Sequence, residues 1–359
     1  MNLHIRRTFT MILACLLIVG AFACTPSNPV RQDTQASAIA AQETAEPTPD
    51  TEDNSIPDIT PEAIEMVPTT AITPVRVAAL TGPTGLGLAY LTDYADRYEL
   101  SLYTAPDQVV AKFTSGEADI AAVPINLAAA LYRKLDGQVA VIAVNTLGVL
   151  YLLENGTSLQ SFEDLAGKTI YATGQASTPQ YILEKLLKDA GIWDQVQVEY
   201  VAEASALAAQ LAEDNDTAIA FLPEPMVSVA CATSDTVRVA FSANELWKAS
   251  GYPEIVQGVY IVRKEFLEAH DSEVFLFLTH AEESVRRVLT EEDAADRVVE
   301  LGIIGKAPIA KRAIPNCNIV LIQGAQMQKL VSAMLETLFE ADPKSVGGAL
   351  PAQDFYYVP

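Results

Sequence analysis

From Val75 onward, short apolar runs alternate with segments whose apolar residues recur at helical spacing, and the alternation is run through twice. Residues 75–80, 99–103, 119–123 and 139–144 form the first set of runs; residues 168–172, 196–201, 217–221 and 237–241 form the second. A short apolar run bounded by turn residues, with a helical segment before the next run, marks a βαβ unit. Parallel strands need a crossover long enough to hold a helix, and helices on both faces leave the strands continuously apolar rather than alternating. The order therefore predicts an α/β chain of two lobes in tandem, each a mostly parallel sheet flanked by helices.

Helices are predicted from the Thr81-Gly-Pro-Thr-Gly85 turn to about Tyr94, from Pro106 to near Gly116, from Pro124-Ile-Asn126 onward, and over 180–190, 205–213 and 225–231. Beyond residue 270 the chain turns helical. Val274, Phe277, Leu278, Ala281, Val285 and Val288 share one helical face, opposite Glu282, Glu283, Arg286 and Arg287. Further helices are predicted over 291–301 and 326–339. No tandem repeat of fixed period is visible.

The first residues carry an address. Arg6 and Arg7 precede an apolar stretch from Met11 to Phe22, then Ala-Phe-Ala-Cys ending at Cys24. A basic start, a short apolar core and a small residue before the cut make a secretory signal over 1–23. The core is too short to span a ~30 Å bilayer as a helix. A small residue followed at once by Cys resembles the lipobox of bacterial lipoproteins, which implies that Cys24 is lipidated and holds the mature chain outside the cytoplasmic membrane. Ile12-Leu13-Ala14-Cys15 has the same form but leaves too little apolar core. Residues 24–74, rich in Pro, Thr, Ala, Glu and Asp with Arg31 as their basic residue, cannot bury enough apolar surface to offset their ordering entropy and read as a disordered tether.

The net charge of −23, which becomes −25 once Arg6 and Arg7 leave, excludes a surface that would hold a phosphate backbone, so no nucleic-acid partner is expected. With Cys15 in the signal and Cys24 lipidated, Cys231 and Cys317 remain, either paired in an oxidising compartment or as two buried thiols. His270 and His280 lie in the charged helical region without metal-ligand spacing, so no metal or cofactor is expected. No nucleophile elbow, zinc helix, phosphate loop or C-x-x-C occurs, and Gly85-Leu-Gly87 lacks the third glycine of a dinucleotide loop.

Three strings appear in a telling order: Ala118-Asp-Ile-Ala-Ala-Val-Pro124, Ser161-Phe-Glu-Asp-Leu-Ala-Gly-Lys-Thr-Ile170 and Val259-Tyr-Ile-Val-Arg-Lys-Glu-Phe266. This order resembles the solute-binding proteins of ABC importers with the type II periplasmic binding protein fold, the nitrate, sulfonate and taurine binders and the thiamine-pyrimidine-precursor binders being most similar. The resemblance covers residues 75 to 301. It implies a monomeric binding protein that delivers a small polar solute to an ABC permease and its ATPase, with the membrane reached through the lipid. An exported enzyme on the same scaffold, and a binding protein that senses its ligand, are the alternatives.

In open α/β sheets the crevice lies beyond the carboxyl ends of the strands. The lobes are expected to divide as 75–147 plus about 258–359 and 148–257, with crossings near Asn145-Thr-Leu-Gly148 and Gln257-Gly258. Gly148 and Gly258 read either as hinges or as plain strand-end turns. The candidate ligand-binding residues are Thr81, Gly82, Thr84 and Gly85, then Asn126, Asn145 and Thr146 in lobe one, with Ser177, Thr178 and Glu224 in lobe two. Helix starts offer free N–H groups to anions or carbonyl oxygens, although Thr81, Ser177 and Thr178 read equally well as caps. These loops hold no Lys or Arg, and Glu224 suits a ligand that donates hydrogen bonds, or else complements its own helix dipole. Tyr171, Trp193 and Trp247 read as core rather than as stacking platforms.

Overall fold

The computed structural model describes residues 73–213 and 218–359; the signal, Cys24 and the tether through residue 72 lie outside the described residues. The chain first forms β1 (Val75–Leu80), α1 (Pro83–Leu86), β2 (Tyr98–Tyr103), α2 (Pro106–Thr114), β3 (Ile120–Pro124), α3 (Ile125–Lys134) and β4 (Val139–Leu147). It then builds β5 (Leu150–Asn155), β6 (Thr169–Ala172), α4 (Thr178–Asp189), β7 (Gln197–Tyr200), α5 (Ala204–Glu213), β8 (Ile219–Pro223), α6 (Met226–Thr233), β9 (Val237–Ser242) and α7 (Ala243–Ala249). The return is β10 (Val256–Arg263), α8 (Lys264–Ala269), α9 (Asp271–Thr290), α10 (Ala294–Glu300), α11 (Ala307–Ala313), β11 (Ile319–Ile322) and α12 (Gly324–Ala341).

These strands make a six-stranded sheet in the order β11-β4-β10-β3-β1-β2 and a five-stranded sheet in the order β7-β6-β8-β5-β9. β1 pairs parallel with β2 and β3, while β10 runs antiparallel between β3 and β4. In the second sheet β6 is parallel to β7 and β8, and β5 runs antiparallel between β8 and β9. The βαβ series thus produces two mostly parallel α/β sheets, as expected, with β10 and β11 reversed in the first and β5 in the second. Gly148 and Val149 link β4 of the first sheet to β5 of the second, and the chain comes back between α7 and β10.

The alternation of side chains across the first sheet sorts its residues into two layers. Val77, Ala79, Ile120, Ala122, Ile142, Tyr260 and Val262 pack under α9 with Val274, Phe277, Leu278 and Ala281. Ala78, Leu80, Ala121, Val123, Val141, Val259 and Ile261 face the other way, toward Ala128 and Leu131 of α3 and Met327, Val331 and Leu335 of α12. Each such fully buried large side chain contributes about 1.5–3 kcal/mol. The α9 face read from the sequence is the face that is buried. This second layer continues without a break into the second sheet, through Ile255, Trp247, Leu186 and Tyr181, where Tyr181 Oη donates to Asp342 just beyond α12 at 3.1 Å.

The expected helix from Thr81 to Tyr94 is not one helix. α1 ends after four residues and a separate 3-10 turn spans Leu91–Tyr94. A Cβ at Gly85 would sit 2.2 Å from the carbonyl oxygen of Leu80, so the segment folds back on its own strand as only a glycine permits. With Gly87 close by, helix propensity is too low to carry it further. Strand β5, wholly apolar at its start and not expected as a strand, was hidden by its place directly after β4 without an intervening helix.

Candidate functional site

The carboxyl ends of the parallel strands lie on one edge of each sheet, and the two edges meet where β4 passes into β5. On the first sheet, Thr146 Oγ1 donates to Pro83 O at 3.3 Å and Asn145 Nδ2 to Thr84 O at 3.2 Å, so the loop after β1 rests on the end of β4. The end of β3 is adjacent, because Pro124 pairs with Gly258 and Gly258 with Thr146. On the second sheet, Glu224 N donates to Val149 O at 3.0 Å, which sets the end of β8 against the first residue of the crossing. Thr84, Asn145, Thr146, Asn126 and Glu224 are thereby gathered around residues 145–149. Ser177 and Thr178 stand on the same edge of the second sheet, beyond β6, which neighbours β8.

Two bulges shape this edge. The register of β10 against β4 leaves Gln257 extra on one strand and Asn145 extra on the other. Such bulges re-aim side chains. Asn145 Oδ1 accepts from Thr146 Oγ1 at 2.9 Å and would lie 2.5 Å from a Cβ at position 258, which is the steric reason for Gly258. Gly148 is likewise hemmed in, by Asn244 and Ile255. Asn145 and Thr146 are 1% and 0% exposed: they belong to the strand, and their side chains tie the β1 loop down.

The helix starts offer fewer donors than expected. Thr81 N donates to Tyr103 O, Gly82 N to Ile303 O and Gly85 N to Gly82 O, and Pro83 has no N–H. That corrects the expectation that this loop presents free amides throughout; its remaining donors are Thr84 N and the Thr81 and Thr84 hydroxyls. Gly85 is buried against its own strand, where its role is steric. Ser177 occupies the N-cap position of α4 without capping it, because its hydroxyl donates to Gly174 O at 2.7 Å. Thr178 is 2% exposed, and its hydroxyl is buried with no hydrogen-bond partner among the described residues.

Glu224 is 2% exposed, just ahead of α6 at a cis bond to Pro225. Its carboxylate accepts from Ser228 N at 3.1 Å and from Ser228 Oγ at 3.0 Å. The group therefore satisfies the first turn of its own helix, as the helix-dipole reading expected. Burial pushes its pKa up to about 7, against the opposing pull of Ser228, Asn316 and Arg312. Asn316 and Cys317 come from the turn that enters β11 of the first sheet. Tyr151 Oη of β5 donates to Asn316 O at 2.9 Å, and Asn318 Nδ2 donates to Gly148 O at 2.5 Å. Just outside, a cavity of about 460 Å³ separates Pro225, Met226 and Val229 from Ile304, Lys306 and Ile309.

Sequence reasoning missed Gln257, Tyr151 and Asn316. Gln257 Oε1 is buried without a partner among the described residues. A polar residue beside Gly258 was the available signal, but only the bulge gives it meaning. Trp247, 2% exposed and 4.7 Å from the Tyr252 ring, is core. Tyr171 packs partly buried against the second sheet's own cluster, and Lys188 lies over Trp193. His280 stacks on Tyr94 at 3.8 Å, away from this edge. Cys231 and Cys317 are both free thiols.

An ABC transporter structure from Parabacteroides distasonis superposes with a TM-score of 0.69 at 21% identity, over 79% of this chain and 99% of that one. The periplasmic aliphatic sulphonate binding protein SsuA from Escherichia coli gives a TM-score of 0.63 at 16% identity, over 79% and 92%. The ligand binding component of an ABC-type import system from Staphylococcus aureus gives 0.60 at 14%, over 79% and 96%. These likenesses establish the fold as that of periplasmic binding proteins. No curated protein matches the chain significantly. Residues 99–295, more than half of the chain, match the family described as NMT1/THI5 like, and the chain belongs to that family.

Proposed function

We propose that this protein is an extracytoplasmic solute-binding lipoprotein, anchored through Cys24, that delivers a small polar solute to an ABC permease and its ATPase by closing two lobes around it. The observation that carries the reading is the meeting of the two carboxyl-end edges at residues 145–149, with polar atoms of Thr178 and Gln257 on those edges that have no hydrogen-bond partner among the described residues. The lobes are 75–147 with 258–359, and 148–257, turning about the crossings at 147–150 and 249–256. Family and fold support the reading, as do the superposing proteins, which are transport and binding components. Binding rather than catalysis fits the edge, since its buried carboxyl, Glu224, is engaged by Ser228.

The solute is a small molecule with at least one hydrogen-bond donor, an amine or nitrogen heterocycle before a simple sulfonate, because the loops supply hydroxyls, amides and a carboxyl without a fixed cation. A thermal-shift screen against small metabolites identifies it. Small-angle scattering should then show a smaller radius of gyration with the ligand bound. Tight binding with no change in scattering, or in hydrogen exchange at the two crossings, argues against the closing mechanism. Cys24→Ala is expected to release the protein from membranes or leave it as precursor; lipid labelling that persists in this variant would move the anchor to Cys15.

A further inference from the structure

We propose that Glu224 is a proton site coupled to lobe closure: the closed arrangement binds a proton there, and opening releases it. This rests on the closing reading above. Glu224 belongs to the second sheet, but part of what covers it belongs to the first. From its own helix α6 it faces Ser228 and, further along, Cys231; from β5 it faces Tyr151. From the other sheet come Arg312 at the end of α11 and Asn316 and Cys317 in the turn before β11. Cys317 is completely buried. The Tyr151–Asn316 hydrogen bond and the α6–α11 packing close this lid.

Moving α11 and the 314–318 turn away from α6 would take Arg312 and Asn316 with them and admit water through the cavity that already separates Met226 and Val229 from Ile309. In water the carboxyl returns to its ordinary pKa of 4.5, against about 7 when enclosed. The sign follows from linkage. Between those values the closed form holds a proton that the open form lacks, so closure is favoured as pH falls through 7 and loses that support as pH rises above it. Below 4.5 both forms are protonated and the dependence ends. Applied to lobe opening, a shift of this size alters the closed-to-open ratio by about ten- to a hundred-fold between pH 8 and pH 5. A solute taken up at one pH is thus held less tightly at a higher one.

The test is hydrogen exchange on the full chain without ligand, at pH 5.5 and pH 8, in wild type and Glu224→Gln. The ratio of the two proteins at each pH cancels the intrinsic pH dependence of exchange. At pH 5.5, about one unit above the open form's pKa, the amides of 226–229 and 314–318 should exchange about ten-fold faster in the wild type than in the Gln variant. At pH 8 that ratio should rise at least a further ten-fold, with an increased radius of gyration that the Gln variant lacks. Ser228→Ala, which removes a bond to the charged form, should move the wild-type midpoint to higher pH. Equal protection at pH 8, or a difference of the same size at both pH values, overturns the proposal. So does faster exchange without expansion, which is local fraying. If ligand-induced compaction is still seen while these ratios stay at one, only the proton coupling fails; if no condition changes the radius of gyration, the closing reading fails with it.

Discussion

Gly85 and Gly258 show how much a single missing methyl group decides here. Both were legible as glycines at turns, yet their reasons are steric and lie in contacts that no local string shows: a carbonyl of the preceding strand at 2.2 Å and the amide of Asn145 at 2.5 Å. Gly85→Ala must displace backbone and should cost about 3 kcal/mol or more. Gly258→Ala need only push aside a side chain and should cost about 1–2 kcal/mol while freeing Asn145 from Thr84. Urea denaturation of both variants checks the order; the reverse order would mean that the Asn145 network matters more than the β1 loop. At Glu224 the folded pKa lies above the unfolded one, so its ionisation opposes folding, an effect that grows as pH rises from 4.5 to 7 and is complete above that. Glu224→Gln should therefore raise the melting temperature at pH 8 and change it little at pH 5. A variant that is destabilised at pH 8 would show that the Ser228 bonds to the carboxylate outweigh its burial.

The elements were readable where their periodicity was long. The face of α9 and the strands β1 to β4 stood out because a buried helix stripe or a two-sided strand repeats one signal over many residues. Four residues of α1, the β5 strand and the turn into β11 were not readable, since each is defined by a tertiary contact: Leu80 O, the end of β8 and Thr146 respectively. The candidate site shares this limit. Its loops could be placed from the strand ends, but the partners of Glu224 and the role of Gln257 depend on bulges and on a segment more than ninety residues away. α12 has a test of its own. Leu335 is completely buried between α12 and the strands of both sheets' shared layer. Leu335→Ala should cost about 2–5 kcal/mol, measured by denaturant unfolding, whereas the exposed Phe275→Ala should cost under about 0.5 kcal/mol.

At the scale of the molecule, two sheets share one apolar layer. Ile255, Trp247 and Leu186 from one side meet Leu330, Met334 and Leu335 from the other, and Tyr181 bonds to Asp342 behind the crossings. The described residues from 73 onward should therefore unfold in one calorimetric transition, with the calorimetric and van't Hoff enthalpies equal. Two resolved transitions would mean that the shared layer is energetically weak and the lobes fold separately.

The order of strands has a consequence for how the chain is made. β10 lies between β3 and β4 in the first sheet, yet it is synthesised only after the whole of the second sheet. Until Arg263 has emerged, β3 and β4 have no common neighbour, and the layer under α9 has neither Tyr260 nor α9 itself to complete it. A nascent chain of this design is held open by its own topology for most of its length. That delay fits the export proposed above, and it predicts that truncation just before residue 256 leaves the first sheet unable to form.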